Sequence, residues 1–305
     1  MMDWNRLAEE LGRKVRGRVF PRASMKEHTT WRVGGPADLL LIPQTEDDVI
    51  RALDCAGENA LPVTVIGNGS NLLVRDGGIR GLTLKIARGL TTCRVKEDKI
   101  EAGAGVLLPH LARLALRAEL SGLEFALGIP ASLGGALVMN AGAFGQQLGD
   151  LVREVQTVDL RGARRVWDHM QLSFSYRRSS LLEQNLIVLR AVLSLNPARA
   201  SLIAERMKQN LARRRETQPL GLPTAGCVFR NPPGRYAGQL IEMAGLKGLR
   251  VGDAQVSPKH ANFIVNLGNA TAGQILALME LIQEKVRSQF GVNLEPEVRM
   301  VGEEG

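Results

Sequence analysis

Residues 122–145, GLEFALGIPASLGGALVMNAGAFG, limit the fold more than any other stretch of the chain. The segment is apolar enough to be buried, yet glycine interrupts it too often for a long helix. Pro130 followed by Ser132 is a helix-start signal, with Gly134 and Gly135 just behind it. A helix start without bulky side chains lets backbone N–H groups approach an anion, so phosphate oxygens suit it. Asn140 and Gly142, at the far end, are placed to face a second ligand. A glycine-rich packing helix is the plain alternative, but polar residues and glycines outnumber what packing needs.

A second loop has the same character. VIGNGSNLLV sets Gly67 and Gly69 directly after a strand, interleaved with Asn68, Ser70 and Asn71. Successive N–H groups and a serine hydroxyl in such a turn can cradle a diphosphate. The spacing is not GxGxxG, and a strand rather than a helix follows, which weighs against a doubly wound dinucleotide fold. A tight turn with no ligand is the competing reading.

Composition narrows the partners. A 305-residue chain with 45% hydrophobic and 23% charged residues suits two or three ordered, packed units. Only 4% of residues are aromatic against 33 glycines, which favours a loop-built small-molecule site over a base-stacking platform. The net charge of +8 raises nucleic acid as a partner. Its arginines are scattered, however, at Arg13, Arg16, Arg161, Arg165, Arg177, Arg178, Arg213 and Arg215, with no basic tail. An anionic small ligand is expected instead, and no nucleic acid. Cys55, Cys93 and Cys227 are far apart, with no CxxC and no nearby histidine pair, so neither a disulfide framework nor a metal site is expected. The N-terminal residues hold no continuous apolar run, which predicts no membrane insertion and a cytoplasmic protein.

Periodicity supplies the coarse fold. An amphipathic helix over 3–17 forms an N-terminal arm, and ADLLLIP (37–43) reads as a buried strand. Thr45 caps a helix whose first turn carries Glu46, Asp47 and Asp48. LPVTVIG, NLLVRD and LTLKIA follow as strands, with a turn at 76–78. Strands around 92–103, a helix over 107–120, a hairpin turning at Arg161-Gly162 and the strand NLIVLRAVLSL (185–195) come next. Asn196-Pro197 marks a boundary at 196–201. Beyond it lie a basic helix (201–215), a helix at 237–245, the strand ANFIVNL and a helix over 271–289 with Ile275, Leu278, Met279, Ile282 and Val286 on one face. EPEVRMVG is read as a closing strand. Hairpins inserted among helices and strands predict an α+β chain.

Three further segments carry chemistry-bearing side chains. FSYRRSS joins Tyr176 to Arg177 and Arg178, a hydroxyl beside guanidinium groups suited to a carboxylate or diphosphate, or else a solvated surface pair. NLEPEVRMVG alternates Glu295, Glu297 and Arg299, which on a strand share one face. That face is either a salt-bridged edge or a carboxylate and guanidinium aimed into a cleft. PTAGCVFRNPPG centres on Cys227, which reads as a reactive thiol, a metal ligand or a small buried side chain.

In chain order, HTTWRVGGPADLLLIP, VIGNGSNLLV, GLEFALGIPASLGGALVMNAGAFG, FSYRRSSL, AGCVFRNP, AGQLIEMAGLKGLRVGDAQVSPKHANFIVN and LEPEVRMVG resemble the UDP-N-acetylenolpyruvoylglucosamine reductase family over residues 28–302. The resemblance implies an α+β chain with a two-subdomain FAD-binding region of the vanillyl-alcohol-oxidase type and a C-terminal substrate domain. Mapped here, residues 1–20 are the arm, 21–104 and 105–198 the two FAD-binding subdomains, and 199–305 the substrate-binding domain. It implies non-covalent FAD, NADPH as co-substrate and a UDP-sugar enolpyruvyl substrate, with the chain acting as a monomer.

By the same resemblance Gly67, Asn68, Gly69, Ser70, Asn71, Gly128, Ile129, Pro130, Ser132, Gly134 and Gly135 hold the cofactor. Arg177 and Glu297 serve the substrate carboxylate, and Cys227 stands where many members carry a serine that protonates C2. A thiol with an ordinary pKa of about 8.5 is mostly protonated at neutral pH and can fill that role. Tyr176, Asn231 and Arg299 are implied substrate contacts, with Arg230 and Arg214 at its diphosphate. The chain resembles the shorter type, without a tyrosine-bearing loop insert near 180–200, and has Ala131 where members often have glycine. An FAD-dependent oxidase of the same fold, acting on an alcohol or sugar, is the alternative. None of His28, His110, His169 and His260 stands in a Gly-rich motif to tether flavin, which favours the reductase.

Overall fold

The computed structural model describes residues 2–305, and these form two compact units. The first takes the chain up to Arg22, Asp38–Asn68 and Arg80–Ala212; the second takes Ala23–Ala37, Gly69–Ile79 and Arg213–Gly305. The division falls between Ala212 and Arg213, more than three turns into the helix Ala200–Thr217 and well beyond the boundary expected at 196–201. Two early segments join the second unit, a long-range arrangement that no local signal in the sequence announces.

In the first unit a four-stranded sheet runs in the order Arg18–Ser24, Pro36–Ile42, Ile79–Lys85, Val63–Ile66. The last two strands are parallel, with Ile66 opposite Lys85, so the sheet delivers the chain directly into Gly67. The helix Glu46–Glu58 starts at a capping box in which Thr45 and Asp48 bond each other's backbone. It buries Val49, Ala52, Leu53 and Ala56 in one core with Leu39, Leu41, Leu82 and Leu84. Each such leucine contributes about 1.5–3 kcal/mol on burial. Asp48 also accepts from the backbone N–H of Arg16 and Gln44, at 2.9 and 2.8 Å. Burial pushes its carboxyl pKa up, but the backbone donors outweigh burial and leave it below the usual carboxylate range.

A five-stranded antiparallel sheet follows in the order Arg164–Asp168, Val152–Val158, Ile187–Ser194, Lys99–Gly103, Cys93–Lys96. Its central strand supplies Arg190, which binds Glu46 at 2.5 Å and Glu101 at 3.1 Å and so ties the acidic helix start to this sheet. The hairpin turn at 159–163 needs Gly162, at φ +84°, and is closed by Asp159, which accepts from Arg161 and Ala163.

The second unit centres on the helix Ala272–Phe290, whose buried face is Ile275, Leu278, Met279, Ile282 and Val286, as its period predicts. Asp76 accepts from the N–H groups of Ala272 and Gly273, both at 2.9 Å, and places its charge at the helix start. The sheet Arg250–Val251, Ala254–Val256, Ile264–Asn266 packs beside that helix. Trp31, fully buried, donates its indole N–H to Ile264 O at 2.8 Å and accepts Asn266 Nδ2 at 3.1 Å, which stitches the early segment in. EPEVRMVG departs from its expected form, because only Arg299–Val301 is a strand, parallel to Leu72–Val74. Pro296 has no N–H to give to a ladder, and the neighbouring backbone groups turn to another loop.

Candidate active site

The two Gly-rich segments meet in the first unit. Asn68 donates Nδ2 to Pro130 O at 2.7 Å. A Cβ on Gly67 would lie 2.7 Å from Ser132 Oγ and 3.5 Å from the Gly135 Cα, so a side chain here would crowd that hydroxyl. Backbone bonds from Leu108 to Ala131 O, Leu133 to Val106 O and Gly134 to Ala104 O fix the floor of the cradle. The helix that starts here is only Leu133–Val138. Ser132 occupies its N-cap position, but its hydroxyl makes no cap bond.

That hydroxyl decides what the cradle suits. Ser132 is 1% exposed, and its Oγ has no hydrogen-bond partner within the chain. A buried hydroxyl left unpaired costs about 1–3 kcal/mol, a cost that an acceptor in the cradle removes. A hydroxyl donor beside two glycines matches the oxygens of a diphosphate, so these residues fit FAD. Gly128 ends the short turn Glu124–Gly128, and Ile129 N–H closes it on Ala126 O.

The rest of the GNGSN loop belongs to the second unit. Gly69 stands at φ +67°, where a Cβ would come within 2.5 Å of His28 O, and its carbonyl accepts from Thr30. Asn71 donates Nδ2 to Glu297 O at 3.1 Å and accepts from Arg299 N–H, while Ser70 is half-buried.

Tyr176 and Arg177 form the tip of a hairpin in the first unit. Arg177, at φ +57°, donates Nη2 to Gly142 O at 3.0 Å and lies 5.0 Å from the Tyr176 ring centroid. The tip is held by Asn140, which is fully buried. Its Nδ2 donates to Gln147 Oε1 and Ser175 O, and its Oδ1 accepts from Gly149 N–H, all at 2.9 Å. Asn140 therefore does not face a ligand as its motif led us to expect, because the chain itself occupies its amide.

Cys227 and Glu297 come together in the second unit. Glu297 N–H donates to Val228 O at 2.7 Å, and single bridges join Cys227 to Phe263 and Phe229 to Pro296. Arg230 lies beside them with Nη1 4.0 Å from Glu295 and a buried Nε that has no partner. Asn231 caps the helix Ala237–Met243 through Oδ1, and Arg214 donates to Gln218 one turn on. Glu295 and Arg299 are exposed, while Glu297 is half-buried.

Two buried polar groups gave no sequence signal of their own. LTLKIA reads as a strand, yet it buries Thr83, whose Oγ1 is unpaired, and Lys85. Burial and, next, the charge of Arg88 lower the Lys85 ammonium to about 8.

Residues 218–301 match the C-terminal domain of UDP-N-acetylenolpyruvoylglucosamine reductase, and residues 37–166 match an FAD binding domain. The UDP-N-acetylenolpyruvoylglucosamine reductase of Desulforamulus reducens is 46% identical, over 99% of this chain and 100% of that protein. That of Moorella thermoacetica is 47% identical, over 99% of each. Among solved structures, the UDP-N-acetylenolpyruvylglucosamine reductase of Thermus caldophilus superposes with a TM-score of 0.79 at 39% identity, covering 93% of this chain and 98% of that one.

Proposed function

The chain belongs to the UDP-N-acetylenolpyruvoylglucosamine reductase family, and from that premise we propose that it reduces UDP-N-acetylglucosamine enolpyruvate to UDP-N-acetylmuramate for peptidoglycan synthesis. The cradle of Gly67, Ser132 and Gly135, with its unpaired buried hydroxyl, is the observation that carries the cofactor assignment. Gly67 to Asn71 and Gly128 to Gly135 hold non-covalent FAD. When bound, FAD supplies two-electron chemistry, taking hydride from NADPH and giving it to C3 of the enolpyruvyl group.

The chain's side chains manage the charge and the proton. Hydride addition at C3 puts negative charge on C2 and the carboxylate. The Arg177 guanidinium, anchored on Gly142 O, meets that charge without reorganising, and losing such a donor costs on the order of 3–4 kcal/mol. The Cys227 thiol gives its proton to C2, and solvent restores it. Glu297, registered to the thiol through Val228 O, works with Arg177 at the carboxylate. Tyr176, Asn231 and Arg299 contact the substrate, and Arg230 and Arg214 its diphosphate. FAD, NADPH and a UDP-sugar are all anions, which suits the net charge of +8.

We further assign the chain to the cytoplasm as a monomer, with residues 21–104 and 105–198 serving FAD and 199–305 the substrate. No described helix is long and apolar enough to cross a membrane. Relatives named as reductases over their full length leave the alcohol or sugar oxidase unfavoured. Reconstitution tests the cofactor assignment. The purified protein should be yellow or take up FAD stoichiometrically, and a colourless protein that takes up none would refute it.

A further inference from the structure

We propose that Asn262 is the positioning residue of the proton-donor loop, setting Cys227 in register with Glu297; this rests on the assignment of Cys227 as the donor to C2. The loop from Cys227 to Arg230 lies in no regular sheet. It is joined to its neighbours by the single bridges Cys227 to Phe263 and Phe229 to Pro296. Isolated bridges hold a chain loosely, whereas proton delivery to carbon needs a donor fixed in both distance and angle.

Asn262 supplies the missing constraint. Its Oδ1 accepts from Phe229 N–H at 3.0 Å, its Nδ2 donates to Phe229 O at 2.8 Å, and its own carbonyl accepts from Val228 N–H at 2.8 Å. One side chain thus satisfies both polar groups of Phe229, in addition to the Val228 N–H to Asn262 O bond that belongs to the Cys227–Phe263 bridge itself. The remaining group of that pair, Val228 O, accepts from Glu297 N–H. Glu297 and the thiol are therefore linked through Val228, and the Asn262 side chain fixes the Phe229 groups that follow directly after it.

Asn262 is 3% exposed, so no water competes for these bonds. The residue type is specific. A leucine would orphan two buried backbone groups, and an aspartate would set a carboxylate oxygen against Phe229 O. Asn262 is itself anchored, since its N–H donates to His260 Nδ1 at 3.2 Å and the His260 ring packs on Phe263 at 4.8 Å between centroids. Burial lowers the His260 imidazole, which keeps Nδ1 an acceptor at neutral pH.

The test compares FAD-loaded Asn262→Ala, Asn262→Asp, Cys227→Ala and the Asn262→Ala/Cys227→Ala double variant. Three quantities are read: flavin reduction by NADPH, flavin reoxidation by UDP-N-acetylglucosamine enolpyruvate, and the pH profile of Cys227 alkylation by iodoacetamide. Asn262→Ala should leave NADPH-driven reduction unchanged and slow reoxidation at saturating substrate by roughly 10- to 100-fold. Its alkylation profile should shift, and the double variant should be no slower than Cys227→Ala alone. Asn262→Asp, which keeps the shape, answers the same questions if the alanine variant does not fold. Wild-type reoxidation in the Asn262 variants beside an inactive Cys227→Ala overturns the positioning role and leaves the donor assignment standing. An additive loss in the double variant overturns it too, because Asn262 would then act elsewhere. Wild-type reoxidation in Cys227→Ala overturns both.

Discussion

Replacing Ser132 by alanine should move the ligand-free and the FAD-bound protein in opposite directions. In the chain alone Ser132 Oγ is buried without a partner, so the hydroxyl subtracts about 1–3 kcal/mol from stability. Alanine removes that cost. Ligand-free Ser132→Ala should therefore melt at a higher temperature than the parent. With FAD bound, the same hydroxyl donates to a diphosphate oxygen, and a charge-assisted bond of that kind contributes about 1.5–3 kcal/mol. Its loss weakens FAD binding by roughly 10- to 150-fold. Thermal melts with and without FAD, together with a titration followed by flavin fluorescence, measure both effects. A variant that melts lower without FAD, or that keeps the parent affinity, would refute the cradle.

Other outcomes follow from the same geometry. Cys227→Ala should keep flavin reduction by NADPH but lose turnover of the enolpyruvyl substrate by several orders of magnitude, with Cys227→Ser retaining activity; steady-state assays of both variants check this. Arg177→Ala and Glu297→Gln should slow flavin reoxidation by substrate by about 10²–10³ while NADPH oxidation stays near normal; stopped-flow traces with both half-reactions slowed equally would count against these roles. Lys85 is held at about 8 in the folded chain, below its ordinary 10.5. The unfolded chain therefore binds the extra proton between those values, and stability should rise with pH across that window by ~3 kcal/mol. Lys85→Met should flatten that rise in denaturant titrations from pH 7 to 10.5.

Elements with strong local signals were legible in the sequence. The Thr45 cap and the apolar stripe from Ile275 to Val286 both stand where they were expected. Local chemistry is enough for these, since a cap and a helical stripe are decided within two turns. EPEVRMVG was not legible, because alternation cannot reveal that the N–H of Glu297 serves Val228 rather than a neighbouring strand. Both asparagine clamps escaped for the same reason. Asn140 bonds a hairpin 35 residues away, and Asn262 bonds a loop 33 residues back. Asparagine has no periodic signature, and its backbone partners become visible only when the chain is folded. The side chains proposed for the site stand out as residue types in the sequence, while the groups that hold them are set by contacts far along the chain.

Under the proposed function, reduced enzyme hands hydride to an enolpyruvyl ether without oxygen. Anaerobic mixing of the NADPH-reduced, FAD-loaded protein with UDP-N-acetylglucosamine enolpyruvate tests it in a single turnover. The oxidised flavin band should return in proportion to enzyme, with one UDP-N-acetylmuramate formed per flavin. A flavin that stays reduced until air is admitted would contradict it.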